Sequence, residues 1–171
     1  MVWGGAGVKP GRERSADSLL GWISHYQRMK RWEQRAQSVA VREIVTQTPE
    51  TVDFALAYFI WAHSFREWLL ESGALPKDAL DSYLSTKGEW NLCRDLANRC
   101  RHYDLTRSPK DNDFVISYRI DIGAAIAGAK NQIIPGVFHN GLYLEFTQAI
   151  GQISLMWEGV IDNFGLQRER Q

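Results

Sequence analysis

Residues 48–73 read TPETVDFALAYFIWAHSFREWLLESG, and this stretch decides the fold class. Thr48 can cap free amides, Pro49 loses nothing at a first helical position, and Ser72-Gly73 is a stop, so a helix is predicted to about Glu71. Phe54, Tyr58, Trp61, Phe65 and Trp68 fall three or four apart on one face, while Val52, Leu56, Phe59 and Ile60 cover much of another. A helix apolar on two sides sits in the middle of a bundle or lends one side to a partner. His63 within it reads as a satisfied core or boundary histidine, because no second ligand stands at metal spacing.

Working outward, residues 1–16 hold four glycines, Pro10 and the charges Arg12, Glu13 and Arg14 without periodicity, and are expected to be a flexible tail. A first helix should start at Ser15 or Ser18 and run through Leu19, Ile23 and Tyr26 toward Gln37. Its outer face, with Arg28, Lys30, Arg31 and Arg35, reads as solvated, with a nucleic-acid contact as the alternative. Pro76 opens a shorter helix with Leu80 and Tyr83 inward, Thr86-Lys87-Gly88 breaks it, and another helix begins at Glu89. Ser108-Pro109-Lys110-Asp111-Asn112 is a turn cluster.

The period then changes. Phe114, Ile116, Tyr118, Ile120 and Ile122 alternate with Val115, Ser117, Arg119 and Asp121, the repeat of a half-buried strand. Gly123–Lys130 reads as a loop, Gln132–Phe138 as a second strand, and Asn140-Gly141 as a tight turn returning Leu142-Tyr143-Leu144 along it. Phe146, Ile150, Ile153, Trp157, Val160 and Phe164 mark a last helix ended by Gly165. The expected fold is mainly α: an up-and-down bundle of four to five helices with a small β-hairpin before the C-terminal helix, in one domain spanning residues 17–171.

The composition is that of a folded globular chain: 171 residues, 44% hydrophobic and 23% charged. Lys plus Arg and Asp plus Glu both number 20, so nucleic acid would have to be held by a local patch. No apolar run is long enough to span a membrane, and the start lacks the basic and apolar regions of a secretory signal, so a cytoplasmic protein is expected. Cys93 and Cys100 lie about 10 Å apart along one helix, too far for a disulfide, and read as buried thiols. Glycine-rich nucleotide motifs and metal-ligand spacing are missing, so no cofactor and no metal are expected.

One segment approaches chemistry: Arg94-Asp95-Leu96-Ala97-Asn98-Arg99-Cys100-Arg101-His102. At about 100° per residue Leu92, Cys93, Leu96, Cys100 and Tyr103 form a core side. Arg94, Asn98, Arg101 and His102 fall opposite, flanked by Asp95. Imidazole moves protons near neutral pH and guanidinium pairs with phosphate oxygens, so together they could activate a ribose hydroxyl and stabilise charge on phosphate. The plainer alternative is an ordinary solvated face, with Asp95 and Arg99 an i, i+4 pair.

A helical bundle with an Asn-x-x-x-His element, here Asn98 to His102, near an arginine resembles the HEPN (higher eukaryotes and prokaryotes nucleotide-binding) superfamily. The resemblance implies a homodimer, an RNase or toxin-type RNA-binding role, Asn98 and His102 as site residues, and Arg94 or Arg101 facing the phosphate. The chain departs from the active form of that family in its arginine: Arg94 lies too far before His102 and Arg99 too near. The leading expectation is therefore an interaction or dimerisation module without catalysis, binding a protein partner or a second copy, with Arg101 and Asp95 as contact residues. The alternative is a ribonuclease using Arg94, Asn98 and His102. A third reading, a small-molecule pocket lined by Trp61, Phe65, Trp68, Trp90 and Trp157, rests on aromatic richness alone.

Overall fold

The computed structural model describes residues 21–41, 48–101, 114–121 and 132–167. The predicted tail, the caps Ser15 and Ser18, the turn cluster at 108–112, the loop at 123–130, and His102, Tyr103 and Ile122 lie outside the described residues. In order, the elements are α1 (Trp22–Val41), α2 (Thr48–Glu71), α3 (Lys77–Ser85), α4 (Gly88–Arg101), β1 (Val115–Asp121), β2 (Gln132–His139), β3 (Leu142–Glu145) and α5 (Phe146–Asn163). The described part of the first helix, α1, begins at Trp22 after a bend at Gly21 and runs past the predicted end at Gln37 to Val41.

The two predicted glycine stops have the same structure. Gly73 and Gly165 take φ of 71° and 61°. In each the next amide reaches back to close the helix, Ala74 to the Leu69 carbonyl and Leu166 to that of Ile161. At the start of α5, Glu145 and Gln148 form a reciprocal capping box.

α2 packs against α1, α4 and α5, so both of its apolar sides are used inside the bundle. Tyr58, Phe59, Phe65 and Leu69 are fully buried. Phe65 and Trp90 meet the Trp157 ring edge-on at 5.0 and 5.8 Å, and Phe59 meets Phe146 at 5.5 Å. Trp61 and Trp68 lie against His25 of α1 at 4.8 and 5.0 Å. The five aromatic residues proposed to line a pocket are thus packing partners of one another or of His25.

The basic face of α1 is less solvated than expected. Lys30 bonds Ser154 and Glu158 of α5 at 2.9 Å and Glu33 at 2.6 Å, and Arg35 lies 4.7 Å over Trp32. Arg31 is exposed.

The strands form an antiparallel sheet of order β1-β2-β3, so the expected hairpin is β2–β3 with β1 added along β2. Asn140 and Gly141 at φ 51° and 76° make its two-residue turn. Phe114, Ile116, Val137 and Leu144 pack on the helical core. The alternation in β1, however, does not give the half-buried strand expected along its whole length: Tyr118 and Ile120 are 53% and 57% exposed. Among the described residues, the helical core takes Phe114 and Ile116 but neither Tyr118 nor Ile120.

Candidate functional site on the facing sides of α2 and α4

The polar side of α4 is turned partly toward α2, and the residue it meets there is His63. The His63 ring stacks on that of Trp90, with centroids 5.3 Å apart and planes 2° from parallel. Arg101 Nη2 approaches His63 Nδ1 at 3.3 Å. Guanidinium can only donate, so Nδ1 accepts and the proton of the neutral ring sits on Nε2. The same Nη2 donates to Asn98 Oδ1 at 3.0 Å, and Arg101 Nε donates to the Ala97 carbonyl at 3.2 Å.

Three guanidinium groups bear on this imidazole. Partial burial, then the charges of Arg101, Arg94 and Arg66, lower the His63 pKa to about 4. Arg94 is answered by Asp95, with Nη2 to Oδ1 at 2.9 Å. Arg66 is answered by a two-pronged bond to Asp81, both contacts at 2.7 Å. Burial opposes ionisation of Asp81, but Arg66 and Lys77 override it and hold the carboxyl below its ordinary value. Arg101 is different: the acceptors it meets here are neutral.

Of the residues singled out in the sequence, Arg94, Asp95, Asn98 and Arg101 gather at this place, and His102 lies outside the described residues. Asp95 does not flank a solvated face but is buried beneath Arg94. Cys93 is buried and Cys100 only half-buried, so the reading of both as buried thiols holds for the first. Burial pushes both thiols up, Cys100 to about 12 and Cys93 further, so neither supplies a thiolate nucleophile near neutral pH. Sequence reasoning missed His63 as the companion of Arg101, because the two are 38 positions apart and only helix packing joins them.

A second surface stands out on the sheet. Seven large apolar side chains are exposed among the described residues, and six of them belong to the sheet: Val115, Tyr118, Ile120, Ile133, Phe138 and Leu142. Partners directly opposite in the register share a face, so Tyr118, Ile120 and Ile133 continue the face that carries Ile116 and Val137. Among the described residues β1 pairs with β2 alone, so its outer edge is an unfilled ladder. No helix among the described residues is long and apolar enough to cross a membrane. Comparison with protein-family models, with curated proteins and with solved structures finds no match to this chain.

Proposed function

We propose that the protein acts as an association module that pairs with a second copy of itself along β1, without catalysis at the α2–α4 face. The observation that carries this reading is the concentration of exposed apolar side chains on a small sheet whose β1 edge is open among the described residues. Scattered exposed leucines need no explanation; a clustered set on one element does.

The second copy is favoured as occupant by the symmetry of the strand itself. A two-fold contact must be self-complementary. In β1 the apolar stripe is palindromic about Tyr118, with Ile116 two residues before it and Ile120 two residues after. Antiparallel pairing centred on Tyr118 sets Tyr118 beside its own copy and Ile116 beside Ile120 of the mate. Ser117 then faces Arg119, so no like charges stand directly opposite. The result is one continuous six-stranded sheet, with the two exposed stripes joined at the dyad.

A crosslink tests the register. Directly opposite residues in an antiparallel pair have Cα atoms about 4.5–5.5 Å apart, within disulfide range. Mild oxidation of Tyr118→Cys should yield a covalent dimer on a non-reducing gel, and the unsubstituted protein should not. A Tyr118→Cys protein that stays monomeric under the same oxidation would contradict the pairing.

A further inference from the structure

β1 carries one basic side chain, Arg119. A cation on an edge strand ordinarily guards it, because a charge there opposes pairing with another chain. This guanidinium is turned away from the edge and across the sheet. Arg119 Nη2 donates to Glu145 Oε1 on β3, and the guanidinium carbon lies 5.5 Å from the centre of the Tyr143 ring, also on β3. The strand order puts β2 between them, so the side chain leans inward over its neighbour.

The crossing is built for this reach. Gly136 of β2 stands between Ser117 and Glu145 in the register and presents no side chain. The Tyr143 ring takes the space above it, and Arg119 lies against that ring. Glu145 is anchored independently, because its side chain accepts the Gln148 amide in the capping box of α5. The side chains are 52% exposed for Arg119 and 24% for Glu145, so the carboxylate is the fixed partner and the guanidinium the movable one.

The register of the β1 pairing gives this ion pair a consequence. With Tyr118 on the dyad, Arg119 stands opposite Ser117 of the mate, and the two Arg119 residues are diagonal neighbours on one face, about 7–8 Å apart. Two unanswered guanidinium groups at that spacing repel. Drawn back onto Glu145, each is part of a neutral pair. Resting on that pairing, we propose that Glu145 controls it: its bond to Arg119 withdraws the guard of the β1 edge and admits a second copy, and loss of the bond returns a cation to the edge and opposes association.

The test is sedimentation equilibrium over a concentration series for the unsubstituted protein, Glu145→Gln, Arg119→Gln and the double variant. It is run in about 0.01 M and about 1 M sodium chloride, where charges act over about 30 Å and about 3 Å. Glutamine keeps an oxygen to accept the α5 amide, and the thermal melt of each variant controls for folding. At low salt Glu145→Gln should weaken the dimer about fivefold or more. Arg119→Gln should associate at least as tightly as the unsubstituted protein, and the double variant should match Arg119→Gln. At high salt the Glu145→Gln defect should fall below about twofold. A purely structural role for Glu145 would leave the double variant as weak as Glu145→Gln, and that result overturns the proposal. An undiminished Glu145→Gln dimer at low salt, or a defect that salt does not relieve, overturns it equally; with Ile120→Lys still monomeric, the β1 pairing itself then stands. A single-chain mass for the unsubstituted protein at every concentration contradicts the pairing, and the control by Glu145 falls with it.

Discussion

His25 sits on α1 with its ring between Trp61, Phe65 and Trp68 of α2, 1% exposed, and its Nε2–H donates to the Trp61 carbonyl at 2.8 Å. Nδ1 is buried without a partner. Burial lowers the pKa to about 4 against an ordinary 6.5; the Trp61 bond opposes that shift and Arg28 adds to it. The unfolded ring takes up its proton as pH falls through about 6.5, while the folded ring refuses it until about 4. Stability is therefore full above 6.5 and falls through that window, by about 3 kcal/mol from His25. His63 acts in the same direction, discounted for its partial exposure. Urea unfolding at pH 7 and near 4.5 should show the loss, and His25→Phe should flatten it. An equal loss in His25→Phe would show that the sensitivity arises elsewhere.

Trp157 belongs to the same scale. It is fully buried where α2, α4 and α5 converge, edge-on to Phe65 and Trp90. Trp157→Ala should cost about 3–5 kcal/mol, because the surrounding rings cannot collapse into so large a void. Denaturant titration reads this directly, and a loss under about 1 kcal/mol would mean the core repacks more freely than its tight ring contacts imply.

Between elements, α1 and α5 are tied by a partly buried polar cluster. Lys30 reaches Ser154, Glu158 and Glu33, and Ser154 Oγ donates to Glu33 at 2.9 Å. Burial alone would lower the Lys30 pKa; Glu33 and Glu158 more than offset this and raise it. Lys30→Met leaves Glu33 buried without its cation, and the expected loss is about 3 kcal/mol. Glu33→Gln in the same background should recover part of it, and a strictly additive double variant would deny the coupling.

The β2–β3 hairpin has its own critical point. A Cβ at Gly136 would stand 2.5 Å from the Leu144 carbonyl oxygen and 2.6 Å from the Tyr143 ring. That ring crosses Gly136 to donate from its hydroxyl to the Ile134 carbonyl. Gly136→Ala should therefore destabilise by about 1–3 kcal/mol, since backbone on the facing strand has to move.

Element identity was legible because it is local. The glycine stop at Gly73, the Asn140-Gly141 turn and the three-four spacing of Phe146 to Phe164 act within a few residues of themselves. What eluded sequence reading depends on neighbours far along the chain. Tyr118 and Ile120 carry the alternation of buried residues yet are exposed, because alternation fixes which face a side chain joins and not what lies against that face. Asp95 looked like a flanking surface charge, and the fold buries it beneath Arg94. Nothing in the local pattern marks His63 as the partner of Arg101.

Among the described residues, the bundle packs its aromatic residues internally and most of the exposed large apolar side chains lie on one sheet. The proposed association through β1 would fill an edge left open among the described residues and set Tyr118 and Ile120 against the matching stripe of the mate. Sedimentation equilibrium on the unsubstituted protein and on Ile120→Lys measures this directly. Ile120 is exposed, so the substitution leaves the monomer fold and its circular dichroism intact. The predicted masses are twice the 19.6 kDa chain for the unsubstituted protein and one chain for Ile120→Lys. A single-chain mass for the unsubstituted protein, or an undiminished dimer in Ile120→Lys, would contradict the account.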